Sequence, residues 1–547
     1  MSILPAMPSD SPSQAEAELL ELRVLDGPNR FFNRPAVKLE FGADEPGVAA
    51  ETATAAGEAV RRLHTLLDLA PPRVTFRHSA DGLRALVAYP WRRRAIAQAV
   101  GAAAARVATG STTPRRELRG LRAIALGPRP SLPVARVPIV AITGTNGKST
   151  TTRLLAHIAE TAGMRVGMTN SDGIYLRGEL VEAGDWTGFG GAGRVLSDEG
   201  IDLAVLETAR GGILLRGIGY AANDVSVVTN ISADHLGLQG IDTLDELAEV
   251  KGAIVRITRR GGWAVLNAAD ERVWAMRRRS RAGWYAFSLA PDAPQVREAL
   301  DSGGRAAILR NGWLVLLRPG KRAMRLAEAA DLPVTFGGLS TYNVANALAA
   351  AAAADALGIR PARIREGLRT FAQDSATNPG RMNLFEKGGR LALIDFAHNE
   401  AGLAGLLEVC RRLAGAATGR GRVRLALGTA GDRTDEILHN MGVLAGRGAD
   451  DVVICEKRHY LRGRDLEAMN AIFRRAVAEG GYDGEVAAFP DELSALQELL
   501  RRSRRGDVSA VMAHVERREI FAWLEESGYR PVPPARVREL VRPSSAG

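Results

Sequence analysis

The sequence predicts an α/β protein: a small α+β module at the amino end, then two α/β domains with mainly parallel sheets. Three observations carry this. The chain has 547 residues, more than one hydrophobic core organises. From Pro138 onward, short apolar runs alternate with helix-length segments, the pattern of βα units. One of those runs leads straight into a glycine turn that opens a helix.

Taken in order, residues 1 to about 20 are small and polar and read as a loose leader. Val37–Phe41 alternates apolar and charged residues, predicting a half-buried strand, and Ala49–Leu67 has helical spacing. Leu83–Tyr89 predicts another strand and Arg92–Val107 an Ala-rich helix, which completes a module over residues 1–115. The prolines and arginines of Thr112–Arg136 show no periodicity and predict a linker, residues 116–135. Strands follow at Pro138–Ile142, Asp202–Leu206, Asp224–Thr229 and Trp263–Leu266, and the Ala-rich helix Tyr342–Leu357 closes a central domain over 136–375. A third series, Leu391–Ile394, Arg424–Leu427, Asp451–Cys455 and Ser509–Met512, predicts a further α/β domain over 376–547.

Composition narrows the class. With 46% apolar and 24% charged residues, the chain is neither disordered nor fibrous. Met1–Gln14 has no basic n-region or apolar h-region, and no run is long enough to cross a bilayer, so a cytoplasmic protein without a membrane partner is expected. Cys410 and Cys455 stand far apart, outside any CxxC or Cys/His cluster, which argues against a disulfide framework or zinc site and for two buried hydrophobes. The net charge of +10 allows a polyanionic partner without requiring one. Arginine runs at Arg277–Arg281 and Arg501–Arg505 read as solvated faces, with no known nucleic-acid module beside them. Only six lysines occur, against 66 arginines. A retained lysine therefore marks a position suited to a compact ammonium or a deprotonatable amine.

Lys148 is one of the six. It lies in Thr143-Gly144-Thr145-Asn146-Gly147-Lys148-Ser149-Thr150, between the strand Pro138–Ile142 and a helix over Thr151–Ala162. Glycines let backbone N–H groups approach phosphate oxygens, and the helix N-terminus adds partial positive charge. Lys148 reaches the β- and γ-phosphates and Ser149 offers a hydroxyl to Mg²⁺. The general phosphate-loop pattern wants glycine at position 142, where this chain has Ile142; the bland alternative is a βα turn that binds nothing. Glu207 closes a buried strand at the carboxyl edge of the sheet, where α/β proteins place ligand groups, although it could also face water or cap a helix. Lys251 is a second retained lysine. It falls on the apolar stripe Leu244, Leu247, Ala248, Ile254, Val255 of a helix, so it must be paired, neutral, snorkelling or modified.

The run Gly144–Thr150 resembles the phosphate loop of the Mur ligase superfamily. Further stretches resemble its cyanophycin synthetase branch: Gly167–Tyr175, Gly184–Gly188, Glu207-Thr-Ala-Arg-Gly-Gly-Ile-Leu214 and Thr229–Gly237. The N-terminal module, through Gly27-Pro28-Asn29 and the strand after Pro35, is similar to that branch's first domain. The ATP-grasp domain which that branch carries between the two parts is replaced here by the linker. The resemblance implies a central P-loop ATPase domain and a Rossmann-like C-terminal α/β domain. It implies ATP with two Mg²⁺ ions, one held by Ser149 and Glu207, the second by His235, and a carbamylated Lys251 bridging metal to substrate. Asn343 and Asn346 would contact adenine and its loop. Arg381, in Pro379-Gly-Arg-Met382, would stabilise the γ-phosphate. Asp395, in Asp395-Phe-Ala-His398-Asn399, would hold the ribose hydroxyls, with His398 beside it. Gly428-Thr-Ala-Gly-Asp-Arg433 would lie near the incoming amine.

The chemistry so implied is an ATP-dependent ligation. A carboxylate of an amino acid or peptide takes the γ-phosphoryl group, and an amino-acid amine displaces phosphate to leave an amide. Without an ATP-grasp half, one bond type is expected, a separate partner ligase making any other; a homo-oligomer is compatible. Lys457, Arg458, His459, Arg462 and Arg464 predict a basic pocket in the third domain, suited to an acidic amine donor rather than arginine. Two other readings stand beside this one, an ATP-binding regulatory protein without ligation and a nucleic-acid binder.

Overall fold

Alternation alone would leave one face of the strand Ala36–Gly42 wet, yet every residue in it is buried. It lies second in an antiparallel sheet of order Glu18–Leu25, Ala36–Gly42, Arg84–Pro90, Thr75–His78. Val37, Leu39 and Phe41 enter a core with the helices Val48–Leu66 and Arg94–Ala108. On the other face Lys38 pairs with Glu40 at 2.8 Å and with Glu21 of the first strand, so its charge is buried but matched. That first strand, Glu18–Leu25, begins inside the stretch expected as a loose leader. The computed structural model describes residues 16–234, 236–416 and 420–541. The chain divides into two units, Met1–Leu132 with Leu214–Gly217, and Pro133–Ile213 with Ile218–Gly547. The expected linker contains a helix, Pro114–Arg122, in the first unit. Proline at its start suits the first helical turn, and the buried Leu121 anchors it.

The second unit holds two sheets. At the centre of the first, Gly283–Ser288, Thr258–Asn267, Asn223–Val228, Ile139–Thr143, Leu203–Glu207 and Val166–Asn170 lie side by side, each parallel to the next. Arg305–Arg310 adds a further parallel strand beside Gly283–Ser288, and antiparallel strands extend both edges, Gly173–Leu176 and Glu179–Ala183 at one, Trp313–Leu317 and Met324–Glu328 beyond Arg305–Arg310 at the other. The helices Lys148–Thr161, Thr341–Ala356 and Pro361–Thr370 share one core with this sheet. Ala347–Ala354 are almost all fully buried there, because small side chains let the helix seat closely. In the second sheet, Asp451–Cys455, Val423–Leu427, Val508–Met512 and Arg390–Asp395 are parallel and buried on both faces, between two apolar clusters. Burial on both faces explains their mainly apolar runs, and Arg424, buried within one of them, pairs with Asp451 and Asp507.

Cys410 and Cys455 are both free and buried. Among the described residues, no helix is long and apolar enough to cross a membrane. Within the arginine runs, Arg277 bonds Glu298, and Arg501 and Arg502 bond Glu498.

Candidate active site

The strand Ile139–Thr143 delivers Gly144, and Gly147 caps the helix Lys148–Thr161. Gly147 has φ +83°, in the left-handed region, and a Cβ there would collide with Asn346 Oδ1. The loop is held from one side by the run Thr229–Ser232. Asn230 Oδ1 accepts from Asn146 N (2.9 Å), while Thr229 Oγ1 and Asn230 Nδ2 donate to Asn146 O (2.6 and 3.1 Å). Thr145 N donates to Asn230 O and its hydroxyl to Ser232 O (3.2 Å). Lys148 Nζ donates to Thr145 O at 2.8 Å, folding its ammonium over the loop. Ser149 and Thr150 are buried in the helix's first turn.

Glu207 ends the neighbouring strand, opposite Ile142 in the ladder. It is buried, and its Oε2 has no hydrogen-bond partner among the described residues. Burial pushes its carboxyl above the usual range, against the pull of Lys148 and of a hydrogen bond from Ser149. A buried carboxylate oxygen without a partner, beside a hydroxyl and a phosphate loop, is a donor set that fits a hard divalent cation.

Lys251 closes the helix Leu244–Lys251, which starts with a capping box between Thr243 and Glu246. It is buried rather than snorkelling, and its Nζ donates to Gly144 O at 2.7 Å. Burial, then the charge of Lys148, hold its pKa well below the ordinary lysine value. His235, expected as a second metal ligand, lies outside the described residues. Among the described residues no three His, Cys, Asp or Glu gather into a metal cluster.

From the other sheet, Arg381 reaches across: its Nη2 lies 3.4 Å from both Ser149 Oγ and Ser171 Oγ. Its guanidinium sits 4.2 Å from the Phe396 ring centroid. Asp395 shapes this loop. Its Oδ2 accepts from Met382 N (2.9 Å), where the backbone is left-handed at φ 54°, and its Oδ1 accepts from Ala397 N (2.7 Å). Burial raises its pKa to about 6 despite Arg381 and these two N–H groups. His398 Nδ1 is 3.0 Å from Phe396 O and its Nε2 3.6 Å from Asp234. Asn399, which caps the helix Glu400–Leu413, exchanges two amide hydrogen bonds with Asn146 (3.2 and 3.1 Å), tying the second sheet to the phosphate loop.

Asn346 donates to Asn343 Oδ1 (3.0 Å) and faces Thr151 Oγ1 (3.4 Å), while Asn343 Nδ2 reaches Met382 Sδ at 3.9 Å. The two asparagines thus link the phosphate loop to the arginine loop. Arg433 joins Asp234 (3.1 Å) and Asp432 (2.8 Å). The basic side chains expected to line a pocket at residues 456–464 are paired with acids, one of them local and three from outside the stretch. Lys457 pairs with Glu492 in the interior, Arg458 with Glu456, Arg462 with Asp432 and Arg464 with Asp435.

Three contributors escape the sequence reading. Asp172 lies inside Gly167–Tyr175 but has no spacing signal of its own. Arg517 is one arginine among many in the last segment. Arg210, buried and donating to Leu238 O, shows its place only through the fold.

Residues 142–354 match the Mur ligase middle domain, and 380–515 match the Mur ligase glutamate ligase domain. The chain is 40% identical over 380 residues to cyanophycin synthetase of Crocosphaera subtropica, covering 69% of this chain and 42% of that protein. It therefore spans about two fifths of that relative's length. It is 27% identical over 419 residues, 73% of each protein, to UDP-N-acetylmuramoyl-L-alanyl-D-glutamate--2,6-diaminopimelate ligase of Corynebacterium efficiens. E. coli FolC in complex with ADP, without folate substrate, shares the fold with a TM-score of 0.53 at 16% identity, over 72% of this chain and 90% of that one. With the Mur ligase middle and glutamate ligase domains matched in that order along the sequence, the chain belongs to the Mur ligase family.

Proposed function

We propose that this protein is an ATP-dependent ligase that converts a carboxylate to an acyl phosphate and couples it to an amino-acid amine. The observation that carries this is Glu207, a buried carboxylate beside the phosphate loop with one oxygen unpartnered among the described residues, onto which Lys148, Lys251 and Arg381 converge electrostatically. In the first step a substrate carboxylate oxygen attacks the γ-phosphorus of ATP, the bond to the β-phosphate oxygen breaks, and ADP leaves. In the second the amine nitrogen attacks the acyl carbon, the bond to phosphate breaks, and the proton lost by nitrogen leaves with phosphate or to solvent. No protein nucleophile is required.

The chain's part is alignment and charge compensation. Backbone N–H groups at the start of the helix Lys148–Thr161 take phosphate oxygens, and Lys148 swings from Thr145 O to the transferring group. Arg381, braced on Phe396, offsets charge from the opposite side. Ser149 and Glu207 would hold one magnesium ion, with His235 and a carbamylated Lys251 at a second, and bound metal would supply charge neutralisation on the β- and γ-phosphates. Asn343, Asn346, Asp395 and His398 would line the nucleoside side. In this reading residues 136–375 form the ATP-binding domain, 376–547 the domain that brings the amine, and 1–115 a separate module.

For the substrates, the matched charges of residues 456–464 remove the argument for an acidic amine, so arginine stands with aspartate and glutamate among the amines to test. One bond type is proposed, with a separate ligase for any second. The test is ADP release with MgATP across pairs of carboxylate and amine donors, with the product's mass recorded. A mass gain equal to the amine less water supports the proposal. ADP release without any amide product, from every pair, overturns it.

A further inference from the structure

Tyr342 is the second residue of the helix Thr341–Ala356, and its hydroxyl is buried without a hydrogen-bond partner among the described residues. An unpaired buried hydroxyl is a net cost to folding, and a phenylalanine would fill the same ring volume without that cost. The surroundings indicate what kind of partner is missing. The next residue, Asn343, reaches the arginine loop at Met382 Sδ, and Asn346, one turn on, meets the phosphate loop at Gly147 and Thr151. Across the cleft, a Cβ at Gly405 would lie 3.9 Å from Tyr342 Cδ2, so the ring also borders the helix capped by Asn399. Asp395, Arg381 and Asp234 all act on the phenol electrostatically. Tyr342 therefore sits on the helix turn where these three parts of the candidate site meet, the turn whose Asn343 and Asn346 the ATP-dependent reading assigns to the nucleoside side.

We propose that Tyr342 Oη forms a hydrogen bond to the nucleoside half of ATP. This rests on the ATP-dependent reading above and adds a residue to it. A phenol both donates and accepts, so either a ribose hydroxyl or the base edge satisfies it.

The experiment uses the full chain and Tyr342→Phe, with calorimetry on the non-hydrolysable analogue AMPPNP and Mg²⁺ and with thermal melts in the absence of nucleotide. The expected result is a Kd raised roughly 5- to 30-fold, the size of one lost hydrogen bond, with a melting temperature equal to or above the parent's. If 2′-deoxyATP or 3′-deoxyATP weakens the parent but not Tyr342→Phe further, the sugar is the partner. If the deoxy analogues weaken both proteins alike, the partner is the base. Equal affinity for AMPPNP in the two proteins overturns the proposal. A clear fall in melting temperature also overturns it, since the hydroxyl would then be paired within the protein. A parent chain that binds no nucleotide defeats the ATP-dependent reading itself.

Discussion

Asp172 and Arg517 stand 345 residues apart in the chain and form an ion pair of 2.8 Å. The other oxygen of Asp172 takes Arg153 Nη2 at 3.0 Å, from the helix that opens at the phosphate loop. Both arginines also hold the backbone that carries Arg381: Arg153 donates to Thr377 O and Arg517 to Pro379 O, each at 3.2 Å. Arg517 lies 5.4 Å from the Phe396 ring that Arg381 also covers. One carboxylate thus clasps the segment that brings Arg381 to Ser149.

Arg517→Ala should lower kcat for ADP release about tenfold or more while leaving ATP affinity nearly unchanged, because Arg517 holds the backbone that carries Arg381 rather than the phosphate loop. Arg517→Lys should recover part of the loss. Steady-state kinetics at saturating ATP check this, and an unchanged kcat would show that Arg381 is held without the clasp.

Glu207→Gln should separate stability from function. Burial holds the Glu207 pKa above the ordinary 4.5, so the folded state binds its proton more tightly and stability declines as pH rises past that value. The amide removes the buried charge. The variant without metal should melt at or above the parent's temperature at neutral pH, while turnover falls about 100-fold or more. A melting temperature that drops would mean that the carboxylate is already satisfied within the fold.

Asp395 gives a pH signature. Its carboxyl is raised from 3.8 to about 6, so its contribution to stability is present below 3.8 and is lost as pH climbs to about 6. Its ionised form is the better acceptor for Met382 N and Ala397 N, so turnover should fall on the acid side with an apparent pKa near 6. Asp395→Asn should flatten the stability slope in that window. Urea unfolding across pH 4 to 7 reads it, and parallel slopes in the two proteins would refute the assignment.

Lys251→Arg keeps a cation on the buried stripe but cannot form a carbamate. Turnover should drop at least tenfold with the fold retained, and ¹³C-labelled bicarbonate should give the parent, but not the variant, a carbamate carbon resonance. Near-normal turnover in the variant would exclude the bridging role.

The parts legible in the chain are those set by neighbours in sequence. Strand, glycine turn, lysine and helix occur within a dozen residues, so backbone sterics and helix polarity place Gly144–Thr150 without reference to the rest of the fold. The apolar stripe that buries Lys251 is likewise local, as are the two-sided parallel strands of both sheets. What sequence alone left undecided are pairings made across the fold. The charges of Lys457, Arg458, Arg462 and Arg464 read as a basic pocket until their acids arrive, Glu492 and Asp432 among them from remote loops and helices. Glu18–Leu25 becomes a strand because Ala36–Gly42 offers it a ladder, and Pro114–Arg122 becomes a helix because Leu121 finds a core. Asp172, Arg517 and Tyr342 carry no spacing signal, since an ion pair or an orphaned hydroxyl depends on which surfaces the topology brings together. Short-range sterics decide local conformation, whereas the electrostatic partner of a charged or polar group is decided only when distant segments meet.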